Sequence, residues 1–191
     1  WYAEHDIKLI NNDPVTILDR EKKTVLTESG QSFEYDQCII ATGSKAFVLP
    51  IPGSDLPSVI GWRTIDDTKR MMEIAQTKHK AIVIGGGLLG LECARGLLDQ
   101  GMEVTVVHLA EWLMEMQLDR KAGQMLKNDL EQQGMRFELQ ANTQEILGHE
   151  DVKSVRLADG RVLEADLVVM AVGIRPYTCL LYTSPSPRDR G

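Results

Sequence analysis

One stretch decides more about the fold of this chain than any other. The continuously apolar run Ala81-Ile82-Val83-Ile84 gives way at once to Gly85-Gly86-Gly87-Leu88-Leu89-Gly90-Leu91-Glu92. Four β-favouring residues without polar alternation read as a strand buried on both faces, and glycines opening an apolar-periodic segment read as a tight turn into a helix. Each glycine has a physical task there. Gly85 permits the tight turn, Gly87 lets a pyrophosphate approach the backbone, and Gly90 lets the helix pack closely on the strand. The helix N-terminus then presents unpaired N–H groups and a partial positive charge to phosphate oxygens. A turn that serves packing alone is the plainer alternative. The strand before and the helix and strand after favour a dinucleotide site, to which Leu88 and Leu89 also belong.

The surrounding pattern extends this unit. After the helix, predicted over residues 88–99, the break at Gly101 precedes a strand over 103–107. Asp119 then caps a helix carrying Ala122, Met125, Leu126 and Leu130 and ended by Gly134, and residues 136–139 form a third strand. Residues 152–158 and 162–164 flank Asp159-Gly160, a hairpin signal, and 167–171 is another buried strand ending at Val172-Gly173. The order βαβαβ, then a hairpin, then a strand describes an α/β, Rossmann-like dinucleotide-binding domain with a central parallel sheet.

The first third of the chain differs. Residues 7–10, 15–18 and 24–27 are short β-favouring runs that read as an antiparallel meander, with Glu28-Ser29-Gly30-Gln31 as further punctuation. Cys38-Ile39-Ile40-Ala41 reads as a buried parallel strand ending at Thr42-Gly43. Pro50-Ile51-Pro52-Gly53 is a loop, and Asp66 or Asp67 is expected to cap a helix reaching about Thr77.

Composition excludes several classes. With 21 Lys+Arg against 28 Asp+Glu the net charge is −7 and no basic stripe gathers, which argues against nucleic acid. No apolar run approaches the ~20 residues of a membrane span. Three scattered cysteines, Cys38, Cys93 and Cys179, make neither a disulfide framework nor a zinc pattern, so a reducing cytoplasm is expected. Cys38 and Cys93 read as small core residues, and the methionines, Met125 included, as packing. His5, His79 and His149 lack ligand-like spacing, and no metal site is expected. The chain opens on Trp1 without a leader pattern and reads as a piece of a longer protein. Residues 179–191, with Ser184-Pro185-Ser186-Pro187, read as a disordered or non-native tail similar to translated sequencing adaptor.

Together the residues resemble a known family. The series Tyr35-Asp36-x-Cys38-Ile39-Ile40-Ala41-Thr42-Gly43-Ser44, Pro50-Ile51-Pro52-Gly53, Arg63-Thr64-Ile65-Asp66-Asp67, the glycine turn, and Ala171-Val172-Gly173-Ile174-Arg175-Pro176 is similar to the flavoproteins with two dinucleotide-binding domains. Rubredoxin reductases, ferredoxin reductases and NADH oxidases share that ordering. Residues 85–98 with Leu113-Met114-x-x-Gln117-Leu118-Asp119 more specifically resemble the large subunits of sirohaem NAD(P)H nitrite reductases.

The resemblance implies an NAD(P)H-binding domain over 78–178 inserted in a partial FAD-binding domain over 1–77. Thr42 and Gly43 would touch FAD, Arg63 would approach its phosphates or ring, Gly173 would lie beside a nucleotide, and Glu92 would lie near the nicotinamide. Glu92 in a first helical turn also suits the helix dipole with no function attached. Two flavin-binding segments of the family, an early glycine fingerprint and a closing Gly-Asp segment, lie outside the sequence, so this stretch alone is expected to hold FAD weakly. The implied activity is hydride transfer from NAD(P)H to FAD, feeding nitrite reduction through an iron–sulfur cluster and sirohaem outside this chain. The alternatives are reduction of rubredoxin, ferredoxin or oxygen, or a sensor that binds nucleotide without turnover. The partners would be the nicotinamide nucleotide, FAD and an electron-acceptor domain or carrier protein, with a homodimer left open.

One position departs from the simple dinucleotide pattern. The acid expected about 20 residues past the fingerprint, at the end of the second strand, is replaced by His108. Neutral imidazole can bond a ribose hydroxyl, and its protonated form would favour a 2′-phosphate. Glu111 lies nearby as an alternative acceptor, and capping of the strand in solvent is the plain reading of His108. NADH is the expected cofactor, with tolerance of NADPH improving as pH falls.

Overall fold

The computed structural model describes residues 1–183, and the chain divides into two compact units. Among the described residues one contains 1–44 with 176–183, the other 45–175. The cofactor boundary read from the sequence falls instead between residues 77 and 78.

In the first unit, after a short 3-10 turn at Ala3–His5, β1 (Val15–Asp19), β2 (Thr24–Thr27) and β3 (Ser32–Glu34) form an antiparallel meander in that order. The expected meander is present, but its strands are shifted by one. Residues 7–10 are not a strand; Gly30, at φ +85°, instead turns the chain after β2 so that Ser32–Glu34 becomes the third. The run Cys38 to Ala41 is a second correction. It belongs to no sheet and is exposed, with Ile39 at 92%. A parallel strand is buried only by neighbours on each side, and none of the described residues supplies them.

Two short strands, β4 (Ser44–Ala46) and β13 (Ile174–Pro176), pair with each other. The second unit contains β5 (Val59–Gly61), α1 (Ile65–Ala75), β6 (Lys80–Ile84), α2 (Leu88–Asp99), β7 (Glu103–Val107), α3 (Arg120–Gln132) and β8 (Arg136–Glu138). There follow β9 (Thr143–Gly148), β10 (Val152–Leu157), β11 (Val162–Glu164) and β12 (Leu167–Met170). Five strands form the central sheet in the order β5-β12-β6-β7-β8, every pair parallel. β9, β10 and β11 form a separate antiparallel sheet.

The side-chain period of two sorts the sheet between two cores. On β6, Ala81 and Val83 pack with Cys93, Ala94 and Leu97 of α2 and Met71 of α1. Ile82 and Ile84 pack on the other face with Ile146, Val155 and Leu157 of the antiparallel sheet. The result is three layers: helices, parallel sheet, antiparallel sheet. The α/β class and central parallel sheet match the sequence reading. β5 and β9 escaped it, the first because three residues carry no period and the second because polar Gln144 and Glu145 interrupt its apolar positions.

Local caps refine the boundaries. α1 is capped by Thr64, not by an aspartate: Asp67 N–H donates to Thr64 Oγ1 at 3.2 Å, and Thr64 N–H donates to Asp67 Oδ2 at 2.7 Å. The aspartate is the third-residue half of that capping box. Asp119 caps α3 as expected, taking the Ala122 N–H at 2.8 Å. Met125 on α3 is exposed rather than packed, while Leu130 of the same helix packs against the core on the helical face of the sheet.

At the far end, Cys179–Thr183 form a short helix, α4, lying against β1. The Ser-Pro argument applies to residues 184–187 and does not reach back to it. The rest of the expected tail, 184–191, lies outside the described residues.

Candidate functional site

The turn after β6 has the geometry that its glycines foretold. Gly85 adopts φ +119°, and a Cβ there would fall 2.4 Å from Ala171 O, so only glycine fits between β6 and the end of β12. A Cβ on Gly90 would meet Gly85 O at 1.9 Å, because the first turn of α2 lies directly against the loop. Gly87, the N-cap of α2, has nothing within 4 Å of its missing Cβ and supplies no side-chain cap. Its surroundings are open, as close approach of a ligand to the backbone requires.

Around the turn lies a cleft of about 350 Å3 at the carboxyl ends of β6, β7 and β12. Gly85, Gly86, Gly87, His108, Glu115 and Thr143 line it, with Ala171 and Val172 beside them. In open parallel sheets ligands bind at such a carboxyl edge, where the strand order reverses. Here β6 continues forward to β7 on one side and neighbours the late strand β12 on the other. The Thr143 hydroxyl is buried in the wall of this cleft without a hydrogen-bond partner, in a residue only 6% exposed. An unpaired buried hydroxyl costs free energy unless a ligand satisfies it.

His108 does not stand free at the end of β7. Gly86 N–H donates to its Nδ1 at 3.0 Å, and its Nε2 lies 2.9 Å from Glu115 Oε2. Because Nδ1 accepts, Nε2 carries the ring proton and donates to the carboxylate. The Gly86 peptide is held on its other side too, since Met114 N–H donates to Gly86 O at 3.0 Å. Met114 adopts φ +54°, a left-handed conformation that a side chain of this kind rarely takes, and it immediately precedes Glu115. Glu111 is paired with Arg120 and does not line the cleft; Glu115 does. The signal for Glu115 was invisible in sequence because it depends on the loop folding back.

The other expected site residues fall elsewhere. Leu88 is exposed at the start of α2. Leu89 lines a groove with Trp62, Arg63, Thr64, Ile65 and Thr68. Glu92 lines a third hollow, with Met72 and Gln100 between α1 and α2. Gly173, at φ +116°, follows Val172 and accepts the Phe47 N–H at 3.0 Å. In the first unit, Thr42 Oγ1 donates to Tyr177 O at 2.7 Å, and Tyr177 N–H donates to Gly43 O at 3.0 Å.

Cys93 is buried, and burial pushes its thiol up to about 12, far from a reactive thiolate. Cys38 corrects the core expectation, being exposed.

This geometry accords with comparison to known proteins. The family model for pyridine nucleotide-disulphide oxidoreductases matches residues 2–191. The chain belongs to the pyridine nucleotide-disulphide oxidoreductase family. Over all 191 residues it is 53% identical to "Nitrite reductase [NAD(P)H]" of Bacillus subtilis (strain 168), covering 24% of that protein. It is 41% identical, again over its whole length, to the "Assimilatory nitrate reductase electron transfer subunit" of the same organism, covering 25% of it. The chain thus spans about a quarter of these relatives. Among solved structures, the ferredoxin reductase for the CYP199A2 system from Rhodopseudomonas palustris superposes with a TM-score of 0.89 at 31% identity, over 95% of this chain and 45% of that one. Among the described residues no helix is long and apolar enough to cross a membrane.

Proposed function

We propose that this chain is the nicotinamide-nucleotide-binding module of a flavoprotein that passes electrons from NAD(P)H through FAD toward nitrite reduction in the cytoplasm, as part of nitrate assimilation. The observation that carries the reading is the Gly85 to Gly90 turn at the carboxyl edge of the parallel sheet, with Gly87 open and Thr143 unpaired in the cleft beside it. These residues fit a dinucleotide: the open backbone and the α2 N-terminus suit a pyrophosphate, and the buried hydroxyl lacks a partner that a polar ligand supplies.

Residues 78–178 serve the nicotinamide nucleotide in this reading, and residues 1–77 contribute to FAD. Gly85 and Gly87 shape the pyrophosphate seat, Gly90 lets α2 pack against the turn, Leu88 and Leu89 lend the backbone N–H groups of the first helical turn, His108 belongs to the adenosine end, and Glu92 to the nicotinamide side. Thr42 and Gly43 touch FAD in this reading, Arg63 approaches its phosphates or ring, and Gly173 lies beside a nucleotide. Hydride transfer is the chemistry that the bound cofactors supply; the chain's own residues position them and keep the phosphates at the helix end. Iron–sulfur and sirohaem centres belong to regions beyond this chain. A ferredoxin- or rubredoxin-reducing flavoprotein is the second reading, favoured by the likeness to a ferredoxin reductase.

The 191-residue chain is expected to bind NADH or NADPH, read by nucleotide fluorescence, and to lose binding in Gly90→Val. With added FAD it is expected to catalyse little NADH-dependent dye reduction. Absence of nucleotide binding would overturn the function, and full dye reduction would overturn the division of cofactors between segments.

A further inference from the structure

Resting on that reading of the glycine turn, we propose that Glu115 is the group that recognises the adenosine ribose, taking the place of the acid missing from the end of β7, and that it makes the site select NADH over NADPH. His108 is its positioning residue.

Four observations converge on Glu115. Its carboxylate reaches the position that the missing acid would serve, because Oε2 lies 2.9 Å from the Nε2 of the residue standing there. The side chain lines the cleft together with all three turn glycines and remains about one-third exposed, so an oxygen is left for a ligand. The loop that carries it is anchored to the turn itself, through the Met114 N–H bond to Gly86 O. Finally, Met114 holds a left-handed backbone directly before it. For a residue other than glycine that conformation is costly and persists only where surrounding contacts require it.

His108 is unsuited to be the acceptor. Its Nδ1 is occupied by the Gly86 N–H and its Nε2–H by Glu115, so neither ring nitrogen is left for a ribose hydroxyl. What it does instead is couple the two, fixing the carboxylate relative to the turn where the pyrophosphate sits. A carboxylate at that point accepts hydrogen bonds from the two ribose hydroxyls and repels a 2′-phosphate. The next cation along the chain, Arg120 at the start of α3, is paired with Glu111, and neither lines the cleft.

The test is a set of dissociation constants for NADH and NADPH on the full 191-residue chain, in wild type, Glu115→Gln, His108→Asn and Gly90→Val. Wild type is expected to prefer NADH. Glu115→Gln removes the charge and should narrow the NADH-to-NADPH ratio about tenfold, chiefly by tightening NADPH. His108→Asn keeps an acceptor for Gly86 N–H but releases Glu115; it should narrow the ratio in the same direction, by a smaller factor, with the melting curve little moved. This second variant keeps the proposal open to refutation if Glu115→Gln folds poorly. A ratio unmoved by either substitution, while Gly90→Val abolishes binding of both nucleotides, would overturn the role of Glu115 and leave the nucleotide site standing. A wild-type preference for NADPH would overturn it too. Failure of wild type to bind either nucleotide would remove the site reading itself.

Discussion

Gly90 sits so close to Gly85 that a Cβ built on it would lie 1.9 Å from the Gly85 carbonyl oxygen. The obstructing atom is backbone, so no rotamer change relieves it. In an open helix, Gly→Ala gains about 1 kcal/mol from propensity. At this position the clash wins, and Gly90→Ala is expected to destabilise by about 2 kcal/mol in urea unfolding, as overpacking does. Gly96, on the same helix with nothing within 4 Å of its missing Cβ, is the control: Gly96→Ala should stabilise by about 1 kcal/mol. Similar shifts in both variants would refute the close approach.

The Lys78 ammonium ties three segments together, donating to Ser58 Oγ at 2.9 Å, to Asp151 Oδ2, and to Asp166 O at 3.3 Å. Burial would raise the Asp151 carboxyl, but hydrogen bonds from Lys78, Ser58 and the Val152 N–H, with the Lys78 charge, outweigh it and hold the group at about 2 rather than 3.8. A carboxyl lowered by folding stabilises the fold above its unfolded value and stops doing so as pH falls through its folded one. With Asp151 about one-third exposed, solvent screening reduces the contribution to about 1 kcal/mol. Asp151→Asn should therefore cost about 1 kcal/mol at neutral pH, and the gap to wild type should close as pH falls from 3.8 toward about 2. A constant gap across that window would contradict the ion pair.

Thiol labelling of the native chain should modify Cys38 and spare Cys93. The first is exposed, whereas the second is buried, with its thiol pushed up to about 12 by burial. The raised value also sets a sign at high pH. The neutral buried thiol favours the fold below 9.0 and ceases to as pH climbs toward about 12. Peptide mass spectrometry after alkylation, with and without denaturant, checks the order; early labelling of Cys93 would contradict its burial.

Thr143→Val replaces an unpartnered buried hydroxyl with a methyl group of similar shape. The free chain should gain about 0.5 to 1 kcal/mol in thermal unfolding, because an unsatisfied polar atom is removed. Nucleotide affinity should fall several-fold in the same variant, on the order of one lost hydrogen bond. A loss of stability instead would mean that the hydroxyl is satisfied within the protein.

What could be read ahead of the structure followed from local chemistry. The β6–turn–α2 unit was legible because an apolar strand, three glycines and a helical period adjoin in sequence, and the Asp159-Gly160 hairpin because its turn dictates its type. Where a residue's environment is made by distant chain, the sequence was silent or misleading. Cys38 to Ala41 has the composition of a buried strand, but burial depends on neighbours. His108 was visible as a departure from pattern, yet its engagement by Gly86 and Glu115 arises only when the loop after β7 folds back over the turn. Glu111 is nearer in sequence but turns to Arg120.

The central sheet also behaves as a partition. Neighbours on β6 answer to different cores, Ala81 and Val83 to the helices, Ile82 and Ile84 to the antiparallel sheet. Changes made on opposite faces share no side-chain partners there, so their energies should add, whereas pairs on one face should couple. The helical wall could thus be redesigned for greater stability without disturbing the packing of the antiparallel layer, while a one-residue slip of β6 would exchange both sets at once.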